Sequence, residues 1–567
     1  MSEESCREII MSEEYADFIL PYATIVGNKD PLPQAVCSMN VDVQYRQAHV
    51  PVSELNSISA QDVGYYAFPK LFGLLDRSSM ERSRIPEVQN QPALQLRGNG
   101  VLIGFVDTGI DYRLPIFRNP DGSSRIVGIW DQTATDGTPP PSLVYGREYT
   151  KEDIDEALRS DHPLEIVAQE DMSGHGTYLA GIAAGGEDER ADFLGAAPMA
   201  SIAMVKLKPA KEYLRDYFQI RPGAEAYQEN DIMLGIRYLE YVSRKMRLPL
   251  VICLGLGSSQ GSHTGSGPLA EMLSAFARAP QHMVIVAGGN EAGLGHHFQG
   301  RVEQAEQYEE VELRVGPEET GFTLELWASA PELYSVGIQS PVGERVPRIP
   351  ARVGQSQILS FIFDKTKIAV DYQLVDPRSG NFLIQMRFAN PTPGIWRFQV
   401  YNSLFISGVY HMWLPIREFL TEETRFLRPN PYTTLTVPAN ADFVLTTSGY
   451  DHRTGGLYLN SSRGYTQQGA IKPSLAAPAV NVYGPEVNGF YGERTGTSVA
   501  AAHMAGAAAL LMEWAVYGGH QPNINTGEAI TFFIRGADRS VSMTYPNREW
   551  GFGTLNMYQS FERLIWL

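Results

Sequence analysis

Cysteine is scarce in this chain of 567 residues, where only Cys6, Cys37 and Cys253 occur. Three scattered cysteines exclude the kind of disulfide framework that holds small secreted domains together. We therefore expect all three to be reduced thiols. Cys253 lies inside an apolar run, where a cysteine behaves as a small buried hydrophobic residue.

Positive charge is also in short supply. The chain carries 46 lysines and arginines against 64 aspartates and glutamates, which gives a formal net charge of −18 at pH 7. This balance leaves no basic patch to neutralise phosphates, so we expect no nucleic-acid partner. The acidic surface mainly confers solubility.

Targeting signals are sparse as well. The first residues, Met1-Ser2-Glu3-Glu4, lack the basic and then apolar pattern of a secretory signal. We expect synthesis in the cytoplasm, with release by lysis or sporulation left open. Met11-Ser12-Glu13-Glu14 repeats these four residues, so either methionine is a candidate start. The long apolar run 499–517 contains His503 and Glu513, and a buried helix explains it better than a membrane span.

Apolar strands and helices alternate from residue 101 onward. Continuous apolar runs are typical of parallel strands that are covered on both faces. Such runs lie at 101–106, 202–206, 250–254 and 283–287, with helical stretches such as 231–246 and 269–279 between them. The pattern predicts an α/β fold with a parallel sheet flanked by helices.

Two other regions differ in texture from this α/β pattern. Residues 1–60 contain one or two alternating strands and predict a small separate α+β unit. Residues 301–435 contain short alternating runs separated by proline, glycine and asparagine turns, as in a β-sandwich. We therefore divide the chain into an N-terminal unit (1–60), an α/β domain in two parts (61–300 and 436–567) and an all-β insertion (301–435).

Three polar residues stand out among small and apolar neighbours. Asp107 ends an apolar strand, His175 lies in a glycine-flanked turn, and Ser498 precedes an alanine-rich run. A serine hydroxyl is a weak nucleophile unless a histidine, itself oriented by a carboxylate, takes its proton. The order Asp, His, Ser is one of the chain orders known for this triad.

Each of these residues also has an ordinary interpretation. Asp107-Thr108-Gly109 fits the motif of aspartic proteases, but that chemistry needs a second copy, which the sequence lacks. Asp111 is an alternative acid, and its place four residues further on favours a polar contact in the turn instead. A serine before a helix is most often an N-cap. The conjunction of all three residues favours catalysis.

These motifs, with Ala287-Gly288-Gly289-Asn290 as a fourth, resemble those of the subtilisin-like serine proteases, the subtilases. The resemblance implies a serine endopeptidase in which His175 takes the proton of Ser498 and Asp107 orients the imidazole. It also implies that the Asn290 side chain and the Ser498 amide hold the oxyanion. One such donor is worth roughly 3–4 kcal/mol of barrier.

The resemblance also assigns the substrate groove and the N-terminal unit. In subtilases the segment that here comprises Leu254, Gly255, Leu256 and Gly257 pairs with the substrate backbone, a form of β-augmentation. The next residues, up to Gly265, lack a phosphate-loop pattern. Residues 1–60 take the place of a prodomain, which implies self-cleavage between about residues 50 and 80.

Other, less distinctive sequence segments indicate a particular group within the subtilases. Phe68-Pro69-Lys70-Leu71-Phe72-Gly73, Val88-Gln89-Asn90-Gln91-Pro92 and Ile129-Trp130-Asp131-Gln132-Thr133, with the β insertion, resemble the Csp germination proteases of clostridial spore formers. That family implies a jelly-roll insertion, a prodomain retained after cleavage, and a cortex-hydrolase zymogen as substrate. Some of its members have lost triad residues, whereas this chain has all three.

The expected partners are therefore a protein or peptide substrate and the chain's own prodomain. No cofactor is expected. Calcium sites are common in subtilases, but no acidic calcium loop stands out here. His296-His297 lacks a third ligand at metal spacing, so we expect a solvated loop there and no zinc site. Two alternatives stay open: a regulatory pseudoprotease or binding protein blocked by its prodomain, and a broad-specificity protease.

Overall fold

The computed structural model of the protein describes residues 3–22, 32–33, 35–58, 63–74, 79–305, 307–351 and 356–565. Its largest sheet has eight strands and is here called the central sheet. Seven of its strands run parallel, and the eighth lies antiparallel at one edge. From edge to edge the strands are Leu475–Pro478, Leu445–Tyr450, His282–Ala287, Leu250–Leu254, Leu102–Asp107, Ser201–Lys206, Ile126–Asp131 and Arg147–Thr150.

Both faces of the central sheet are covered, which explains why its strands read as continuous apolar runs. Ile103 and Phe105 pack into one hydrophobic core, whereas Leu102 and Val106 pack into the core on the other face. The flanking helices include His175–Ala184, Glu229–Met246, Pro268–Arg278 and Thr497–Met512. The predicted α/β fold, with a parallel sheet flanked by helices, is confirmed.

The α/β domain and the N-terminal unit contain further helices. They are Glu3–Met11, Ile85–Asn90, Lys151–Arg159, Pro163–Ile166, Glu212–Phe218, Thr526–Gly536 and Met557–Ile565. The Lys151–Arg159 helix begins with a capping box, in which Thr150 and Asp153 satisfy each other's backbone N–H groups.

The alanine-rich run forms the Thr497–Met512 helix, here called the serine helix. It continues as a π-helical turn over Glu513–Tyr517. The whole segment Thr497–Tyr517 is long and apolar enough to cross a membrane, but 89% of its most apolar window is buried inside the protein. The prediction of a buried core helix is confirmed, and alanine suits it because small side chains let neighbouring elements pack closely.

Two antiparallel sheets, together called the β insert, occupy the chain between His297 and Phe426 and enclose a core of their own. The six-stranded sheet consists of His297–Arg301, Val409–Trp413, Gly321–Ala328, Phe382–Ala389, Lys367–Gln373 and Gln357–Ser360. The five-stranded sheet consists of Arg345–Ile349, Leu333–Gln339, Gly394–Leu404, Tyr308–Val315 and Arg425–Phe426. Alternating burial, as in Lys367–Gln373, is what the sequence pattern predicted for a sandwich.

The N-terminal unit is a helix on a three-stranded antiparallel sheet. Its strands are Tyr15–Pro21, Tyr45–Pro51 and Cys37–Asn40, in that spatial order. The helix carries Cys6 to within 5.6 Å of Cys37, measured between Cα atoms, and the two form a disulfide. The prediction of reduced thiols is therefore wrong for this pair, because a sequence separation of 31 residues hides the packing of the helix on the strand.

The third cysteine behaves as predicted. Cys253 is free and buried in the Leu250–Leu254 strand of the central sheet. Burial raises the pKa of its thiol, so the group stays neutral and acts as a small apolar side chain.

Buried histidines join the β insert to the α/β domain. His263 stacks on Trp413 of the insert with ring centroids 4.0 Å apart, and His297 and His411 lie 4.9 and 5.0 Å from the same indole. Burial lowers the pKa of His263 to about 4 and the pKa of His411 to about 3. These imidazoles are therefore neutral in the folded protein at neutral pH.

This cluster makes the folded protein sensitive to acid. Below about pH 6.5, His263 and His411 bind protons in the unfolded chain but stay neutral in the folded chain. The free energy of unfolding therefore falls as the pH falls, by about 1.4 kcal/mol per pH unit for each of these histidines. We expect the melting temperature to drop between pH 6.5 and 4.5, and to drop less steeply in His411→Phe. The exposed His162 gives the control, His162→Phe. Equal slopes in both variants would contradict this account.

Candidate active site

The carboxyl end of the Leu102–Asp107 strand brings Asp107 to the first turn of the His175–Ala184 helix. The chain enters this helix through Gly174 at φ 75°, in the left-handed region that favours glycine, and a Cβ there would also crowd a guanidinium nitrogen of Arg494 at 2.8 Å. His175 Nδ1 lies 2.8 Å from Asp107 Oδ1 and donates a hydrogen bond to it.

Ser498 is the second residue of the serine helix, and its Oγ lies 3.3 Å from His175 Nε2. Because Nδ1 donates to Asp107, Nε2 carries the lone pair and accepts the hydrogen bond of the serine hydroxyl. Asp107, His175 and Ser498 are 1%, 2% and 0% exposed. The structure thus unites the three predicted residues in a chain of carboxylate, base and hydroxyl that is shielded from water.

Asn290 follows the His282–Ala287 strand through a Gly288-Gly289 turn. Its Oδ1 accepts hydrogen bonds from the backbone N–H of Thr497 at 3.0 Å and from the Thr497 hydroxyl at 3.2 Å. These bonds fix the amide so that Nδ2 is its donor end. Ser498 contributes a first-turn helix N–H beside it, a group without an intrahelical partner. Thr497 was not identified from the sequence, since its role depends on a contact 207 residues away.

A separate sheet of three short strands lies beside this site. Leu71–Leu74 runs antiparallel between Leu256–Gly257 and Tyr227–Gln228, with Gly73 opposite Gly257 and Leu74 opposite Leu256. The predicted substrate strand therefore pairs with the chain's own backbone. Neither Leu71–Leu74 nor Tyr227–Gln228 was predicted as a strand from the sequence, because strands this short have no periodicity to detect.

Gly255 connects the groove to the reacting groups. A Cβ on Gly255 would lie 3.0 Å from Ser498 Cβ and 3.1 Å from His175 Cε1. The strand Leu71–Leu74 runs toward this glycine, since Leu74 pairs with Leu256, the residue next to it. The carboxyl end of the Leu71–Leu74 strand therefore lies beside the glycine that contacts Ser498 and His175.

Asp111 takes the place in the turn that the sequence indicated. Its carboxylate accepts hydrogen bonds from Arg113 Nε at 2.8 Å and from the backbone N–H of Asn488 at 2.9 Å. Asn488 belongs to the hairpin of Val482–Pro485 and Tyr491–Arg494 that leads into the serine helix. Asp111 therefore ties the loop after Asp107 to that hairpin.

The adjacent histidines of the predicted solvated loop are buried and have separate partners. His296 Nδ1 lies 2.7 Å from a Glu291 carboxylate oxygen, whereas His297 Nδ1 bonds the carbonyl of Asn430 at 3.0 Å and Nε2 bonds His411 at 2.9 Å. Across the described ranges, no group of three or more histidine, cysteine, aspartate or glutamate side chains is placed to hold a metal ion.

Known proteins share both the sequence pattern and the fold. The model of the subtilase family, peptidase S8, matches residues 98–315 and 427–553. The chain belongs to the subtilase family. This subtilase is a serine peptidase, and its substrates are proteins. Residues 316–426, between the two matched segments, fall within the β insert.

One solved relative extends the likeness over most of the subtilase chain. The structure of the Clostridium perfringens CspB protease matches with a TM-score of 0.76 and 31% sequence identity, over 86% of this chain and 97% of that chain. The chain has no match among curated proteins. The likeness therefore includes regions outside the two segments that the family model covers.

The close approach of Gly255 gives a direct test of the site's geometry. Gly255→Ala should displace His175 and Ser498 by a few tenths of an ångström. Because a misplacement of about 1 Å costs roughly 100-fold in rate, we expect this smaller shift to slow the reaction roughly three- to tenfold. The measurement is the rate of covalent labelling by diisopropyl fluorophosphate, which reports the reactivity of the serine. Gly527→Ala, whose new Cβ meets only Asn525 Oδ1 at 3.4 Å, serves as control. Equal labelling of both variants would contradict the geometry.

Proposed function

We propose that this subtilase cleaves peptide bonds with Ser498 as nucleophile, His175 as general base and Asp107 as the carboxylate that orients the imidazole. The continuous chain of hydrogen bonds from Asp107 Oδ1 through His175 to Ser498 Oγ, at 2.8 and 3.3 Å, carries this proposal. Burial of all three groups strengthens it, because electrostatic interactions are stronger where water is excluded.

The reaction then follows from the positions of the donors. Ser498 Oγ attacks the scissile carbonyl while its proton passes to His175 Nε2, and Asp107 stabilises the imidazolium. The Nδ2–H of Asn290 and the Ser498 N–H stabilise the oxyanion. His175 returns the proton to the leaving amine, and water hydrolyses the acyl-enzyme by the same route. Side chains and backbone supply every group, so the proposal includes no cofactor.

We propose that the enzyme first cleaves its own chain, with residues 71–74 bound as the substrate strand. They occupy the groove as an added strand, and they run toward Ser498. We therefore place self-cleavage just after Leu74, within the window of residues 50–80 that the sequence predicted. That window includes residues 59–62 and 75–78, which lie outside the described residues.

The N-terminal unit is then the prodomain, and we propose that it stays bound after cleavage. Its Asp17 is fully buried and accepts hydrogen bonds from Lys211 Nζ at 2.9 Å, Gln228 Nε2 at 2.7 Å and His49 at 2.6 Å. Burial opposes the charge of Asp17, but Lys211 and His49 lower the pKa of its carboxyl. Separation would break a compensated buried ion pair, which is costly.

Intact mass of the purified protein tests this function. We expect the wild type to yield two fragments divided between residues 74 and 79, which co-elute on gel filtration, and Ser498→Ala to stay at the full 62.8 kDa. Ser542→Ala, at an exposed serine, should cleave like the wild type. A wild type that stays whole would support the alternative of a pseudoprotease whose groove is blocked by its own strand.

The physiological substrate is a further part of the proposal. We propose that the subtilase acts in spore germination by cutting the zymogen of a cortex hydrolase, and that it is made in the cytoplasm and associates with the spore. The similarity to the CspB protease and the sequence segments shared with Csp proteases support this.

A defined mixture tests this assignment. The wild type should convert a cortex-hydrolase zymogen into one shorter product, and Ser498→Ala should leave it unchanged. Casein, an unrelated protein, serves as the comparison substrate. Equal degradation of casein and zymogen would instead favour a broad-specificity protease.

A further inference from the structure

Asp171 is a buried carboxylate beside the site that the mechanism above does not use. It lies four residues before His175 and is only 5% exposed. Its Oδ1 accepts hydrogen bonds from the Gly174 N–H and the Thr108 hydroxyl, each at 2.8 Å. Its Oδ2 accepts from the Thr177 N–H at 2.8 Å and the Thr177 hydroxyl at 2.7 Å. One carboxylate thus holds both the histidine turn and the residue after Asp107.

Thr108 is the link between the two carboxylates. Its backbone N–H donates to Asp107 Oδ1 at 2.8 Å, while its hydroxyl lies 2.8 Å from Asp171 and 3.3 Å from Asp107. The hydroxyl in turn accepts from the Gly176 N–H at 3.0 Å. Asp171, Thr108 and Asp107 therefore fix the imidazole of His175 from its own turn and from the strand end together.

The partners also define the charge on Asp171. All four groups that face its oxygens donate hydrogen bonds, which matches an ionised carboxylate, an acceptor at both oxygens. Burial raises the pKa of this carboxyl, and the nearby Asp107 acts in the same direction. A second negative charge so close to Asp107 lies within the range in which it stabilises a positive imidazolium. The carboxylate of Glu225 also interacts electrostatically with His175, so the charge of Asp171 adds to those of Asp107 and Glu225.

We propose that Asp171 is a positioning residue that holds His175 against Asp107 and whose negative charge increases the proton affinity of the imidazole. The inference rests on the proposed roles of Asp107, His175 and Ser498. The simpler interpretation is that Asp171 only satisfies N–H groups of the first helical turn. That role would affect the stability of the fold and leave the titration of His175 unchanged.

Proton NMR separates these two interpretations without any substrate. The His175 Nδ1–H that is shared with Asp107 should give a far-downfield resonance whose pH dependence reports the titration of His175, and Asp107→Asn identifies it by removing it. We expect Asp171→Asn to lower the midpoint of that titration by roughly 0.5–1 pH unit. The control is Glu170→Gln, one residue away with a side chain 45% exposed, where screening should keep the shift below about 0.2 unit.

A midpoint in Asp171→Asn that matches Glu170→Gln would overturn the inference, while the wild-type resonance would leave the proposed triad standing. A wild type that lacks the resonance, and that diisopropyl fluorophosphate labels no faster than Ser498→Ala, would refute the triad itself. The two failures are therefore distinct.

A second pair of variants covers the case in which Asp171→Asn does not fold. Thr108→Val removes the link between the carboxylates and keeps the bonds from Asp171 to Gly174 and Thr177. Thr108→Ser keeps the hydroxyl. We expect labelling of Ser498 by diisopropyl fluorophosphate to be about tenfold slower in Thr108→Val than in Thr108→Ser. Equal rates would overturn the positioning role.

Discussion

The hydrogen bond from His175 to Asp107 is the interaction on which the rest of the site depends. The Asp107 carboxylate is only 1% exposed, and an unpaired charge buried to that extent would be very unfavourable. Hydrogen-bond donors around the carboxylate compensate for this burial. The imidazole and the Thr108 N–H both bond Asp107 Oδ1. The glycine-rich turn, the strand end and the serine helix are the elements that make such close approach possible.

That constraint explains which parts of the site could be read from the sequence. Asp107, His175, Asn290 and Ser498 each lie in a short run whose residue types are dictated by close approach, so their local motifs are visible without a fold. Thr497 acts through a contact with Asn290, 207 residues away, and the Thr108 hydroxyl lies between the carboxylates of Asp171 and Asp107. Threonine is too common a residue for either position to stand out in the sequence. Asp171 lies only four residues before His175, but a lone acid near a motif is unremarkable in a chain with 64 acidic residues.

The elements of the fold likewise fall into those that local sequence patterns predict and those that depend on distant contacts. Apolar runs predicted four of the eight strands of the central sheet, and alternation predicted the β-sandwich pattern of the insert, because both patterns follow from which faces are buried. Pairings between distant segments leave no such trace. The Cys6–Cys37 disulfide requires a helix to pack on a strand, and the Leu71–Leu74 strand exists only because two partners flank it. A linker of the same composition elsewhere would have no strand.

The strand in the groove has a physical consequence for the enzyme's activity on other proteins. A tethered segment binds at a high effective concentration, so self-pairing precedes any encounter with a second protein. The proposed cleavage after Leu74 would remove the tether on one side only, because Asp17, Lys211 and Gln228 would still hold the N-terminal unit against the Tyr227–Gln228 strand. The strand itself pairs over few residues, and a backbone hydrogen bond contributes only about 0.5–1.5 kcal/mol net. Under the proposed function, a protein substrate would therefore displace the Leu71–Leu74 strand while the buried contacts of the N-terminal unit stay intact. The N-terminal unit would then remain bound to the active enzyme.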